Sequence, residues 1–204
     1  MATYYINADT WNDTTGNGTS GSPWATISKA ITGSVSGDTI YLQNSTATYS
    51  FANGLNIGNR NLVGQSVVGC VVDGASAARH WSVGGTVTVA GMQFQNIRSN
   101  TVYNIFDGPE TITFTNCIFD RLDLDGYLET QGIVGSTLGF TVNFVRSLFR
   151  RIRRYTPGVY TNGSITSGRT HTVVMTGCTL YLDGSGLTLL SPIFSTGNGG
   201  VGTL

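Results

Sequence analysis

The sequence predicts an all-β chain of short strands stacked as a repeating solenoid, with one short helix capping its N-terminal end. Three observations lead there. A phrase, Val-Thr-Val-Ala-Gly-Met-Gln-Phe-Gln-Asn-Ile from Val87, recurs from Ile112, Val142 and Val173, at spacings of 25, 30 and 31 residues. A period in this range, built from short alternating strands, marks one supersecondary unit stacked on itself. Next, five positions of each copy are spaced to face one core. They are Val87, Val89, Met92, Phe94 and Ile97, then Ile112, Phe114, Cys117, Phe119 and Leu122. The later copies supply Val142, Phe144, Ser147, Phe149 and Ile152, then Val173, Met175, Cys178, Leu180 and Asp183. Only Ser147 and Asp183 are not apolar. Finally, 28 glycines and abundant Thr, Ser and Asn suit polar outer faces and many turns.

The elements follow in order. Thr3 to Ile6 reads as a strand and residues 7–22 as a loop. Ser22 is placed to cap a helix with Pro23 at its first position, and Trp24, Ile27 and Ile31 follow at helical spacing. Gly33 and Gly37 end it, and Asp38 to Leu42 is the next strand. Residues 1–37 thus form the cap, 38–194 the stacked copies and 195–204 a tail. A stacked solenoid has open apolar ends, which the helix covers on one side. Tyr49 to Ile57 and Asn61 to Gln65 are expected as further strands, and Asp73-Gly74 as a turn. His80 to Val83 leads into the repeat. Ile105-Phe106, Ile133-Val134, Ile165 and Ile193-Phe194 are assigned to a second sheet. Gly91, Asn116, Arg146 and Gly177 share the position after the first strand of each copy. Gly and Asn there suit a left-handed bend, so the Arg146 copy is expected to turn differently or to carry strain.

Tyr-Tyr-Ile-Asn-Ala-Asp-Thr from Tyr4, the Gly/Asn loop, the helix and Ser-Gly-Asp-Thr-Ile-Tyr-Leu ending at Leu42 carry a resemblance. They resemble the opening of right-handed parallel β-helix proteins of the pectate-lyase-like superfamily, phage tailspikes and virion β-helix proteins among them. The resemblance implies a single-stranded right-handed parallel β-helix. It implies no single activity, because the superfamily includes lyases, hydrolases, adhesins and tailspikes.

Length and charge narrow the function. The 204 residues suit one domain, and 11 acidic against 11 basic residues argue against a strongly basic nucleic-acid binder. No apolar run is long enough for a membrane span, and Met-Ala-Thr-Tyr-Tyr-Ile-Asn does not read as a secretion signal. Cys70, Cys117 and Cys178 have no metal-like spacing. Cys117 and Cys178 share a column two copies apart, roughly 10 Å, beyond disulfide reach. All three are expected as buried free thiols, in keeping with assembly in a reducing cytoplasm.

The densest acids are Asp120, Asp123, Asp125 and Glu129. Calcium binding and a glycosidase acid pair are the functional options. The segment lacks the ligand pattern of an EF-hand. The repeat register instead places Asp120 beside Arg150, and Arg98, Asp123 and Arg153 in one column. These are expected as ion pairs between copies along the edge of the solenoid, each worth under about 1 kcal/mol if exposed. The basic run Arg150 to Arg154 suits an anionic glycan or phosphate, but reads better as a partly paired edge that leaves Arg151 and Arg154 over.

No metal, cofactor or catalytic residue is assigned. The outward positions Thr88, Gln93, Thr113, Ile118, Asn143, Leu148, Val174 and Thr179 include no ionisable group. Ile118, Leu148 and Val174 are expected to form an apolar strip, a candidate subunit interface. Trp81, Tyr103 and Tyr155 are candidate glycan contacts. The end of the chain, Ser-Thr-Gly-Asn-Gly-Gly-Val-Gly-Thr-Leu, shows no second capping helix, so an assembly or the tail itself is expected to cover the last copy.

The expected function is that of a non-enzymatic structural or interaction protein of a virion, such as a capsid decoration, cement or fibre protein. It would be made in the host cytoplasm and dock on other virion proteins or on copies of itself, probing neither nucleic acid nor membrane. The rivals are a tailspike-like polysaccharide lyase or hydrolase, and an extracellular or cell-surface glycan-binding adhesin.

Overall fold

The structure is a computed structural model that describes residues 1–9, 12–98, 105–108, 110–122, 134–135, 140–152 and 171–181. Among these residues the chain is largely β, with one helix. The chain begins with β1 (Thr3–Ile6), α1 (Ile27–Gly33) and β2 (Thr39–Leu42). There follow β3 (Tyr49–Ser50), β4 (Leu55–Gly58), β5 (Asn61–Gly64), β6 (Val71–Ala78) and β7 (Trp81–Val83). The repeat supplies β8 (Thr86–Ala90), β9 (Gln93–Arg98), β10 (Phe106–Asp107), β11 (Thr111–Thr115), β12 (Ile118–Asp120) and β13 (Val134–Gly135). The last strands are β14 (Phe140–Val145), β15 (Leu148–Arg150), β16 (His171–Thr176) and β17 (Thr179–Tyr181).

The strands form three sheets, ordered β1-β2-β5-β8-β11-β14-β16, β3-β6-β9-β12-β15-β17 and β4-β7-β10-β13. We refer to them as the first, second and third sheets. From β2 to β15 the chain visits them in that order and then returns to the first. Each pairing is parallel and joins equivalent positions of successive copies: Ile112 lies beside Val87 and Val142, and Phe119 beside Phe94 and Phe149. The two strands of one repeated phrase therefore belong to two different sheets. This corrects the expected two-sheet arrangement, because Phe106 and Val134 join a sheet of their own with Trp81. Ile165 and Ile193-Phe194 lie outside the described residues.

Alternation along each strand sends every second side chain inward. Val87, Val89, Ile112, Phe114, Val142 and Phe144 from the first sheet are buried, as are Phe94, Phe119 and Phe149 from the second. The aromatic rings stack from copy to copy. Phe119 lies 5.7 Å from Phe94 and 5.0 Å from Phe149, and Phe114 lies 5.3 Å from Phe144. Each buried ring contributes about 2–3 kcal/mol of hydrophobic stabilisation.

The bends decide the geometry. Gly91, Asn116, Arg146 and Gly177 all take the left-handed backbone, at φ 66°, 51°, 49° and 60°. The Arg146 copy therefore turns like the others, and the strain alternative is the one realised: a side chain in this conformation costs roughly 1–2 kcal/mol. The bend is held because its amides reach the next copy: Gly91 N donates to Thr115 O at 3.0 Å, Asn116 N to Val145 O at 2.9 Å and Arg146 N to Thr176 O at 2.7 Å. A second left-handed column sits five residues on, at Asn96, Arg121 and Arg151, with φ 52°, 50° and 52°. It had no glycine to announce it.

The N-terminal segment differs in detail from expectation. The helix starts at Ile27, and Thr26 is its cap, with Lys29 N donating to Thr26 Oγ1 at 3.1 Å. Ser22 and Pro23 lie outside it because Asp13 holds the next residues extended. Its Oδ1 accepts from Ala25 N at 2.9 Å and Thr26 N at 3.1 Å. Trp24 stacks on Tyr4 at 5.2 Å and donates to Gly16 O at 3.0 Å, so it does belong to the cap. A Cβ on Gly33 would run into its ring. The span Tyr49 to Ile57 divides into β3 and β4, which lie in different sheets. Asp73-Gly74 does not end its strand. β6 continues to Ala78, but its register against β9 shifts between Asp73 and Ala77, where Ala75 and Ser76 are left-handed.

Candidate functional site

The outer face of the second sheet holds the chain's densest described charge. On each strand a core residue (Val72, Phe94, Phe119, Phe149 or Leu180) separates two outward positions. One outward column reads Val71, Gln93, Ile118, Leu148 and Thr179, and the other Asp73, Gln95, Asp120, Arg150 and Tyr181. Gln93, Ile118, Leu148 and Thr179 were expected to point outward; the second column, two residues further along each strand, adds the charged Asp73, Asp120 and Arg150.

These side chains form one lateral network. Asp73 Oδ2 accepts from Gln95 Nε2 and Asn96 Nδ2, each at 2.7 Å, and Asp73 Oδ1 from Ala75 N at 2.6 Å. Gln95 Oε1 accepts from Gln93 Nε2 at 2.6 Å and Arg121 Nη2 at 3.3 Å. Arg121 Nε is 3.9 Å from Asp120 Oδ2. Asp120 then accepts from Arg150 Nη2 at 3.1 Å and Arg151 Nε at 2.6 Å, with Arg151 Nη2 also on Oδ2.

Asp120 is fully buried, so the bound of about 1 kcal/mol that holds for an exposed pair does not apply to it. A buried carboxylate must be paired, because stripping it of water costs several kcal/mol. This is why Arg151, expected to be left over, is recruited as well. The left-handed backbone at Arg151 turns its side chain back over the preceding strand. The Asp120–Arg150 pairing itself is as the register implied. Asp123, Arg153 and Arg154 lie outside the described residues, as do Asp125 and Glu129, so the Arg98 column is described only at Arg98, beside Ala78.

The proposed surfaces change too. Trp81 is fully buried, stacked on Phe51 at 4.0 Å, and donates to Ala52 O at 2.9 Å. It cannot contact a glycan. Its polar edge is satisfied by backbone and its face by another ring. Tyr103 and Tyr155 lie outside the described residues. Ile118 and Leu148 are neighbours in register and half-buried, but Val174, 42% exposed, lies on the first sheet beside Asn143. The left-handed bend separates their sheets, so the three do not make one strip.

The cysteines line a corner just before the second sheet: Cys70, Met92, Cys117, Ser147 and Cys178 occupy one column. Its backbone links run from Gln93 N to Cys70 O at 3.0 Å, Ile118 N to Met92 O at 3.0 Å, Leu148 N to Cys117 O at 2.9 Å and Thr179 N to Ser147 O at 2.9 Å. The Cys117 thiol points at Val89 O at 3.5 Å and the Cys178 thiol at Phe144 O at 3.2 Å. Ser147 fills the same place, pointing at Phe114 O at 3.4 Å and accepting from Cys117 N at 3.3 Å. Burial pushes the Cys117 thiol up to about 12 and also raises that of Cys70. Cys178 is only half-buried, unlike the other two.

Among the described residues no group of three or more His, Cys, Asp or Glu is placed to hold a metal ion. No described helix is long and apolar enough to cross a membrane. No family model matches the chain, and neither a curated protein nor a solved structure gives a significant match.

Proposed function

We propose that the chain is a single-stranded right-handed parallel β-helix serving as a non-enzymatic structural protein of a virus particle. As a capsid decoration, cement or fibre component it would dock on other virion proteins or on copies of itself. The observation that carries this reading is the use of the outward carboxylates. Asp73 accepts three hydrogen bonds and Asp120 is enclosed by arginines. Both tie one copy to the next, and a carboxylate so engaged is poorly placed to take a proton from a substrate. The three-sheet path and the resemblance of the N-terminal segment support the β-helix; the viral setting comes from the resemblance alone.

The reading is tested by particle fractionation and by sedimentation. The protein should co-purify with assembled particles and form oligomers. A monomer absent from particles would contradict it, as would cleavage of a host polysaccharide that is lost in Asp73→Asn.

A further inference from the structure

We propose that the outer face of the first sheet is an interface between two copies of this chain, packed face to face about a twofold axis near Thr88. The proposal rests on the docking role above and names one partner, a second copy. Thr88 stands on β8, the middle strand of seven. Its backbone N–H donates to Asn61 Oδ1 at 2.9 Å, and it lies beside Thr113 in register. The outward column continues through Asn143 to Val174 on one side, and from Asn61 to Thr39 on the other. A neighbouring outward column holds Tyr41, Val63, Ala90, Thr115 and Val145. Over these described residues neither column contains an acid, a base or a histidine. The second sheet's outer face differs in carrying Asp73, Asp120 and Arg150.

A neutral face of hydroxyls, amides and methyls is complementary to itself. A threonine hydroxyl both donates and accepts a hydrogen bond, as does an asparagine amide, whereas ions of one sign repel their own kind. An interface about a twofold axis has to be self-complementary, because each copy offers the same patch. Charge is also depleted at the centre of protein interfaces. Thr88 is exposed, and Val174 is 42% exposed. Threonine and valine are stiff at their first side-chain torsion, so little freedom is lost when a partner covers them. The seven strands, about 4.8 Å apart and about five residues of about 3.3 Å long, make a face of roughly 30 by 17 Å. Covering it on both copies removes about 1,000 Å², the lower end for a specific interface, so a weak, concentration-dependent dimer is the expected state.

The test is sedimentation velocity of the full chain over a range of concentrations, and a monomer–dimer equilibrium is expected. Thr88→Lys brings two like charges together at the axis and should weaken association about a hundredfold. Mixing that variant with Thr88→Glu should restore a dimer of the two, which also shows that both fold. Thr179→Lys, on the outer face of the second sheet, should leave association unchanged. A monomer at the highest soluble concentration would overturn the proposal. So would a dimer indifferent to Thr88→Lys, an equal loss in Thr179→Lys, or no recovery in the mixture. A neutral polysaccharide that binds the monomeric chain, and is lost in Thr88→Lys, would make the face a glycan site and overturn it too. A monomer that still co-purifies with particles sinks this inference and leaves the docking role standing; a Thr88-dependent dimer absent from particles does the reverse.

Discussion

Arg150 lies directly across from Asp120 in adjacent parallel strands, and its Nη2 donates to the buried Asp120 Oδ2 at 3.1 Å. The next residue, Arg151, leaves the strand through a left-handed backbone and returns to the same carboxylate. One acid thereby joins two copies from both the strand and the bend.

Removing that acid should be costly. Asp120→Ala takes from the half-exposed Arg150 and Arg151 the buried carboxylate that they share. It should lower unfolding free energy by about 3 kcal/mol, measured by urea denaturation. A change below about 1 kcal/mol would mean the cluster behaves as a solvated surface pair.

Arg146→Gly should act in the opposite direction. It removes a Cβ from a φ of 49° but adds freedom to the unfolded chain. The two effects leave a net gain of about 0.5 kcal/mol. Thermal unfolding of both proteins measures it. A loss would show that packing of the Arg146 side chain along Gly177 outweighs the strain.

Ser147→Ala should destabilise the corner column by about 1–2 kcal/mol, because Cys117 N–H loses an acceptor in a buried place. Ser147→Cys should recover much of this, since Cys117 and Cys178 fill equivalent places with a thiol. Equal losses in both variants, read from denaturation midpoints, would refute this account of the column.

Stability should fall in acid in part through Asp9. It accepts from Thr46 N at 2.8 Å and Ala47 N at 2.7 Å, and these bonds lower its pKa from 3.8 to about 2. A group lowered on folding stabilises above its unfolded value and loses that contribution as pH falls through the folded one. Wild-type and Asp9→Asn should therefore differ in melting temperature above pH 4, and the gap should narrow towards pH 2. A constant gap across that window would assign the contacts no linkage to protonation.

The thiols should differ in reactivity. Cys117, buried and with its pKa near 12, should resist a thiol-specific reagent until the chain unfolds. Cys178, half-buried, should react first in the native protein. Mass spectrometry of partly labelled protein reads the order directly.

Much of the fold was legible because a stacked repeat translates sequence distance into spatial neighbourhood. The spacing of 30 residues alone brought Asp120 to Arg150, and the same rule set Phe119 over Phe149. β1 and β2 were readable from local alternation. The site was less legible. Arg151 looked surplus because its part depends on a left-handed bend that an arginine does not announce, although Asn96 stands in the same column two copies earlier. Trp81 looked like a surface aromatic because alternation over so short a strand as β7 does not say which side is the core.

The sequence by itself determined the repeat, its register and the inward positions, since these follow from periodicity and apolar burial. Only the tertiary structure decided that the repeated phrase bends across two sheets, which put Val174 on a different face from Leu148 and buried Asp120 beneath three arginines. The physical reason is that periodicity reports which residues stack. Which face they share, and how much water reaches them, depends on backbone angles at the corners, where Arg121, Arg146 and Arg151 take a conformation their residue type does not favour.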